Sequence, residues 1–133
     1  MKTFYLSCVL IVAAATGCSI FHHAAQAKPG SETVMITYHV QPGKEGEFQD
    51  LLARAWDVYR DEHLVVPKPH VVVRDSDGEN KFRFVEIFTW LKSPDHAPDS
   101  VQAVWKQEQS LCEARDGHKG IEGGEVEIVG GHF

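Results

Sequence analysis

The residue with the clearest chemical potential in this sequence is Glu86, which lies inside an aromatic segment, 81–91. Side chains of a β-strand alternate between the two faces of a sheet. Glu86 therefore shares one face with its aromatic neighbours: Phe82, Phe84, Phe88 and Trp90. A carboxylate without a partner is costly in such surroundings. The pattern predicts that Glu86 acts as a base or proton acceptor inside an aromatic cavity.

A structural interpretation of Glu86 stays open beside this one. The carboxylate could pair with Arg74, Arg83 or a tyrosine, or it could reach the rim of the sheet. The two interpretations differ in whether a substrate or only the protein uses the charge.

Six aromatic side chains are candidates for binding a flat substrate. They come from the predicted strands and helices: Tyr38, Trp56, Phe84, Phe88, Trp90 and Trp105. A partly hollow barrel lined by aromatic rings suits a small aromatic ligand. Ordinary packing in the core or between subunits explains each of them equally well one by one.

Among the histidines, His39 is the catalytic candidate, because it lies in the middle of a predicted strand and could face the cavity as a proton shuttle. We expect the others, His63, His70, His96 and His118, at the surface. No histidine pair has a close metal-ligand spacing such as H-x-x-x-H, so no metal site is predicted. Phosphate-binding glycine loops, serine nucleophile elbows and flavin motifs are absent from the sequence, and no cofactor is predicted.

The elements that must position these side chains follow from periodicity and turn signals. The predicted order is strand, helix, strand, strand, helix, strand, at 33–41, 44–63, 70–74, 81–91, 99–114 and 125–129. This βαββαβ order is the ferredoxin-like α+β fold, a four-stranded antiparallel sheet with two helices on one face. The glycine-rich segment 117–124 is predicted to be a connector, and 130–133 a tail.

The predicted strands are apolar on both faces, although two helices cover only one. In the central strand, Val85 and Ile87 point to the face away from the aromatic side chains. In the first strand, Met35 points to the face away from Tyr38. A large uncovered apolar face usually marks an interface. We therefore expect a homodimer that packs two sheets face to face into an α+β barrel.

Three segments carry a resemblance to a known family: 35–40 (Met-Ile-Thr-Tyr-His-Val), 42–48 (Pro-Gly-Lys-Glu-Gly-Glu-Phe) and 84–90 (Phe-Val-Glu-Ile-Phe-Thr-Trp). They resemble the antibiotic biosynthesis monooxygenases, a family of dimeric α+β barrels, over roughly 33–129. The resemblance implies this fold. It also implies a range of activities, because some members oxidise polyaromatic phenols with O₂ and no cofactor, whereas others isomerise or only bind small molecules.

Haem-degrading relatives use an Asn, Trp and His set, and this sequence has no Asn in its first strand or first helix. That set therefore cannot be mapped onto this sequence, and two function classes remain. The first is a cofactor-independent monooxygenase acting on a small aromatic or quinol-type molecule, and the alternative is a non-catalytic small-molecule-binding or interaction domain with the same dimeric barrel.

The N-terminal segment, 1–27, has the pattern of a bacterial export signal: Lys2, then an apolar run too short to span a bilayer. Cleavage after Ala27 and a lipobox that ends at Cys18 are both compatible with it. The folded domain is predicted at 31–129 and outside the cytoplasm, as a periplasmic, secreted or membrane-anchored protein. A lipid on Cys18 would be its one membrane contact.

Charge and cysteine usage narrow the partners further. The net charge of −6 without a Lys/Arg cluster argues against nucleic-acid binding. After processing, Cys112 is left as a single thiol, either a small buried residue or, beside a cation, a reactive one.

Mass spectrometry of the mature N-terminus tests the two cleavage sites. A diacylglyceryl mass on Cys18 is the expected product of lipoprotein processing, and a free amine on Lys28 that of ordinary secretion. An intact Met1 would contradict both.

Overall fold

The computed structural model describes residues 30–92 and 94–131 of the chain. The export signal predicted at 1–27, including Cys18, and the last two residues of the tail lie outside these ranges. The described elements are β1 (Glu32–Val40), α1 (Glu45–Asp61), β2 (Val65–Ser76), β3 (Phe82–Trp90), α2 (Asp99–Leu111) and β4 (Ile121–Glu125). Neither of the helices in these ranges has the length and apolar character of a membrane-spanning segment.

The strands form one sheet in the order β2-β3-β1-β4, and every neighbouring pair is antiparallel. The predicted ferredoxin-like α+β fold is therefore confirmed. β1 and β3 are the central strands, and Ile36 lies directly opposite Glu86 in their register. Glu86 consequently occupies the middle of the sheet.

Both helices cover the same face of the sheet. The buried stripe of α1 includes Phe48, Leu52 and Tyr59, and that of α2 includes Val101 and Val104. These side chains form two clusters with the inward residues of the central strands: Val34, Tyr38, Val40, Phe84, Phe88 and Trp90. Helical spacing in α1 and α2 and strand alternation in β1 and β3 thus meet in one layer, as predicted.

Within residues 30–92 and 94–131, no helix covers the opposite face of the sheet. Met35 is 40% exposed and Val73 52% exposed, and Val85 and Ile87 are half-buried. We call these residues the open face. At one end of this face the chain folds back, because the Glu113 N–H donates to the His39 carbonyl and the His39 N–H donates to the Gly120 carbonyl. His39 is therefore buried although it points away from the helices.

β2 is longer than the predicted 70–74. It begins at Val65, and the pairing with β3 is irregular between Val65 and His70, where the Lys68–Pro69 peptide bond is cis. The prediction that Pro67 and Pro69 exclude a helix in this stretch was correct. The same prolines also argued against a strand, because proline cannot donate a backbone hydrogen bond. A strand forms here nevertheless, because proline is tolerated at a sheet edge and β2 is an edge strand.

The last strand was predicted at 125–129, and this was wrong. β4 spans Ile121–Glu125, inside the glycine segment that was predicted to be a connector, whereas Val129 is 94% exposed. Two of the glycines lie close to neighbouring parts of the chain. A Cβ atom at Gly120 would lie 3.2 Å from the backbone of Glu113, and one at Gly123 would lie 3.4 Å from the Ile36 side chain. Pairing with β1 therefore overrode the apolar alternation of 126–129.

Candidate functional site

Glu86 is fully buried, with 1% of its surface exposed, and its two oxygens are both hydrogen-bonded. The Tyr38 hydroxyl donates to Oε2 at 2.9 Å, and Nε2 of His70 lies 2.8 Å from Oε1. The three side chains come from the three adjacent strands β1, β3 and β2, on the face that the helices cover. The carboxylate thus has a tyrosine and a histidine as partners.

The arginines considered as partners of Glu86 are engaged elsewhere. Arg83 pairs with Asp75, at 2.8 Å from Nε to Oδ1 and 2.7 Å from Nη2 to Oδ2. Arg74 lies over the Phe82 ring, 5.0 Å from its centroid. Of the proposed structural partners, only the tyrosine is realised.

His70 is the functional residue that the sequence prediction missed, since it was expected at the surface. Its ring stacks on Trp56 of α1, with centroids 3.7 Å apart and planes 10° apart, and 19% of its side chain is exposed. His70 lies opposite Phe88 and Val72 lies opposite Glu86 in the β2–β3 register. The predicted β-hairpin already made the strand of His70 the neighbour of the strand of Glu86. Their contact could be predicted only with the strand register, which a turn of undetermined length leaves open.

A cleft of about 320 Å³ opens beside His70, between α1 and the β2 edge of the sheet. Its walls come from α1, β2 and β3: Gln49, Leu52, Ala53, His70, Val72, Val73, Arg74 and Phe84. Glu86 is not among the lining residues, so it reaches the cleft only through His70. Because Glu86 occupies Nε2 of His70, the ring can exchange a proton with a ligand only through Nδ1.

The predicted aromatic set divides between the cleft and the core. Phe84 lines the cleft, and Trp56 flanks it through its stack on His70. Phe88 and Trp90 are 0% and 6% exposed and pack edge to face at 4.8 Å, inside the core. Trp105 donates its indole N–H to the Tyr59 hydroxyl at 2.9 Å. The structure therefore brings only part of the set near one ligand position.

His39 and Glu86 are not brought together, because they face opposite sides of the sheet. His39 lies opposite Arg83 in the register, whereas Tyr38, its neighbour in sequence, reaches Glu86. Nδ1 of His39 is 2.6 Å from Oδ2 of Asp77, which Arg115 also contacts at 3.0 Å. The hydrogen bonds from His39 and Arg115 lower the pKa of Asp77 below its usual value.

A second buried carboxyl group, Glu108, lies in the stripe of α2 and was not singled out from the sequence. It is 4% exposed, and its Oε1 has no hydrogen-bond partner within the described residues. Burial, and then the charge of Glu86, raise the pKa of Glu108 to about 8, although a hydrogen bond with Tyr59 opposes this. Burial, followed by the charges of these two carboxylates, also raises the pKa of Tyr38 and Tyr59. The interior therefore holds two buried carboxyl groups, and the charge of Glu86 opposes ionisation of Glu108.

Cys112 is buried at the end of α2, where its backbone forms an isolated antiparallel β-bridge with Val40 of β1. Burial raises the pKa of its thiol to about 12. The thiolate is the nucleophilic form of cysteine, so this geometry supports the interpretation of Cys112 as a small packed residue.

These observations define a class: a ferredoxin-like α+β domain with a buried Glu–Tyr–His network beside a cleft between helix and sheet. No protein-family description matches the chain, and no curated protein matches it either. Solved structures do. SnoaB, a cofactor-independent oxygenase from Streptomyces nogalater, aligns with a TM-score of 0.56 at 16% identity, over 77% of this chain and 96% of that one.

Two further structures are candidate antibiotic biosynthesis monooxygenases. The one from Caulobacter crescentus aligns with a TM-score of 0.53 at 16% identity, over 76% of this chain and 92% of that one. The one from Bordetella bronchiseptica aligns with a TM-score of 0.50 at 18% identity, over 75% and 98%. The chain thus has the fold of the antibiotic biosynthesis monooxygenase structures, and the resemblance found in the sequence is confirmed at the level of the fold.

Glu108 predicts a specific pH dependence of stability. A carboxyl group whose pKa rises from an ordinary 4.5 to about 8 on folding binds more protons in the folded state between these values. The free energy of unfolding should therefore fall as the pH rises through this window. Glu108→Gln removes this titration. It should match the wild type near pH 5 and exceed it near pH 9 by on the order of a few kcal/mol.

Urea unfolding at a series of pH values measures the difference, with Glu79→Gln as the control because Glu79 is exposed in the β2–β3 turn. Equal pH profiles for Glu108→Gln and the wild type would show that Glu108 titrates normally.

Proposed function

We propose that this domain is a cofactor-independent monooxygenase that oxidises a small aromatic or quinol-type molecule, with His70 and Glu86 as its proton-transfer pair. One observation carries the proposal: a buried carboxylate holds an imidazole at the wall of a largely apolar cleft. A fold shared with SnoaB, a cofactor-independent oxygenase, supports this choice of reaction. Fold alone does not decide function, and the side chains at the cleft are what favour this reaction.

The first step is removal of a proton from an aromatic hydroxyl group in the cleft. Nδ1 of His70 is the acceptor. The Glu86 carboxylate accepts the Nε2–H at 2.8 Å and stabilises the imidazolium that forms. Tyr38 donates to the other carboxylate oxygen and keeps Glu86 in place. Glu86 is thus the positioning residue and His70 the base.

The substrate anion then supplies the electrons for O₂. Transfer of one electron and recombination of the two radicals form a C–O bond at a ring carbon, as a peroxide. Loss of the ring proton at that carbon and cleavage of the O–O bond leave one oxygen atom as a quinone carbonyl, and the other departs as water. One phenol and one O₂ give one quinone and one water, so no external reductant is needed. His70 returns its proton to the departing oxygen.

The cleft suits a small flat ligand. Its volume of about 320 Å³ is near the lower end of the range for small-molecule sites. Phe84 and the Trp56–His70 stack supply aromatic surfaces, and Arg74 supplies a positive charge that would attract a phenolate. These features favour one substituted ring or a small fused system.

The alternative function is that of a non-catalytic binding domain, and one observation favours it. Both oxygens of Glu86 are satisfied by protein groups, and the residue has almost no exposed surface. In this alternative, the role of the satisfied Glu86 carboxylate is to hold three strands in register. A ligand would then occupy the cleft without reaction.

We also propose that the domain, at about 31–129, acts outside the cytoplasm, either free after cleavage behind Ala27 or held by a lipid on Cys18 after cleavage in front of that cysteine. The apolar h-region before Cys18 supports this location. Oxidation of an exported small molecule or binding of an environmental one fits such a place.

Oxygen uptake over a panel of phenols and hydroquinones tests the reaction. With an active substrate, His70→Gln removes the proton acceptor and should lower turnover by roughly 10²-fold or more. Glu86→Gln should also lower turnover, and the variant should remain folded. His96→Gln is the control, because His96 is an exposed histidine outside the cleft.

Thermal melts of the same samples separate the alternatives. A Glu86→Gln variant that loses stability but keeps the turnover of its folded fraction would assign the network to structure. Oxygen uptake no greater than buffer across the panel, together with saturable binding of a panel member, would favour the binding domain.

We propose a homodimer in which the open face of one copy covers that of another. The exposed apolar side chains Met35 and Val73 lie on this face, and a two-fold axis would bury both copies of the patch in one contact. Aqueous exposure of such a face is unfavourable. Contact between two sheets would build the α+β barrel.

Light scattering at micromolar concentration should give the mass of a dimer for the protein without its signal. Met35→Glu places a charge in the middle of the open face and should shift the mass to that of a monomer. Ala103→Glu, on the exposed side of α2, should leave the dimer intact. A monomeric wild type would remove the barrel from the proposal.

A further inference from the structure

One buried nitrogen atom on the open-face side of the sheet has no assigned role. His39 is 4% exposed, and its Nε2 has no hydrogen-bond partner in the part of the chain that the structure describes. A buried polar atom without a partner is unfavourable, and such atoms often mark a site that binds something. Nδ1 of the same ring is engaged by Asp77, so Nε2 is the atom that remains for a ligand.

Two further metal-ligating side chains lie next to this ring. His118 is stacked on His39 with a centroid distance of 5.5 Å, and Nδ1 of His118 is 3.1 Å from Oε2 of Glu122. One ligand atom from each of His39, His118 and Glu122 lies within 4.8 Å of the others. The topology brings them together, because β4 pairs with β1 and the turn before β4 carries His118.

We propose that His39, His118 and Glu122 bind one divalent transition-metal ion of the zinc class, with water completing its shell. Two imidazoles and one carboxylate are the ligand set of open zinc and related sites. At metal–ligand distances of about 2.0–2.1 Å, ligand atoms of a tetrahedral site are about 3.3 Å apart. The His118–Glu122 distance of 3.1 Å is already close to this value.

The ligand atoms of His118 and Glu122 can move closer to that of His39, because these two side chains are exposed and His39 is not. His39 is held inside the protein, whereas 60% of the His118 side chain and 38% of the Glu122 side chain are exposed. The two rim residues can therefore turn toward His39 with little change in packing. An ion arriving from solvent meets the rim ligands first.

The surroundings of His39 have the arrangement that metal-binding histidines use. A carboxylate on one ring nitrogen holds the proton there and leaves the lone pair of the other nitrogen for the metal. Asp77 provides this carboxylate at 2.6 Å. Arg115 holds Asp77 at 3.0 Å and donates to the Val40 carbonyl at 2.6 Å, which anchors the arrangement to β1.

Exposed acidic groups such as Glu122 are common without any metal. The buried, unpartnered Nε2 of His39 distinguishes this cluster, since solvent exposure does not explain it. The site lies on the other side of the sheet from Glu86 and is independent of the proposed oxidation.

Calorimetric titration of the untagged full chain with Zn²⁺, after treatment with a chelator, tests the proposal. We expect one ion per chain. His118→Ala and Glu122→Gln should each weaken binding by about 10-fold or more, because each removes a ligand. The control is His63→Ala/His96→Ala, which removes two exposed histidines and should leave binding unchanged.

Two further measurements keep the result interpretable. Co²⁺ in place of Zn²⁺ should show the visible absorption of a tetrahedral ion, and this signal should disappear in His118→Ala. Thermal melts should show that the rim variants are folded without metal. Unchanged Zn²⁺ affinity in the combined His118→Ala/Glu122→Gln variant, or no binding to the wild type, would overturn the site.

Discussion

The structure depends on how one buried charge is satisfied. Glu86 lies at the centre of the sheet, under two helices, where an unpaired carboxylate would cost several kcal/mol. Tyr38 from one neighbouring strand and His70 from the other complete its hydrogen bonds. The register of three strands and the stack of His70 on Trp56 of α1 are therefore linked to a single carboxylate. A slip of one residue in either pairing would move a partner to the wrong face.

The same sheet separates two polar systems. On the helix side, Glu86 and Glu108 share an apolar interior, where burial and then the charge of Glu86 raise the pKa of Glu108. On the other side, a network joins His39 of β1, Asp77 of the β2–β3 turn and Arg115 of the segment that leads to β4. Strand alternation is the reason, because adjacent residues such as Tyr38 and His39 must point to opposite sides. One strand thus supplies residues to both systems.

The fold of this chain is shared with other proteins, whereas the side chains at its cleft are its own. Structures at 16 to 18% identity share the topology of this chain, including two helices on one face of an antiparallel sheet. Folds of this kind host many unrelated activities. What is particular to this chain is the set of side chains at the cleft, above all the imidazole between a buried carboxylate and a ligand-sized space.

The sequence by itself determined the fold class, the two helices, the central strand and the prominence of Glu86, because these follow from local periodicity and burial. It did not determine the partners of Glu86, the place of β4 or the separation of His39 from Glu86. Those depend on the register between strands that lie far apart in the chain, and on the close approach of the Glu113 backbone to Gly120. His70 illustrates the difference. The residues that follow it in sequence are valines, and only the pairing of β2 with β3 brings it to Glu86.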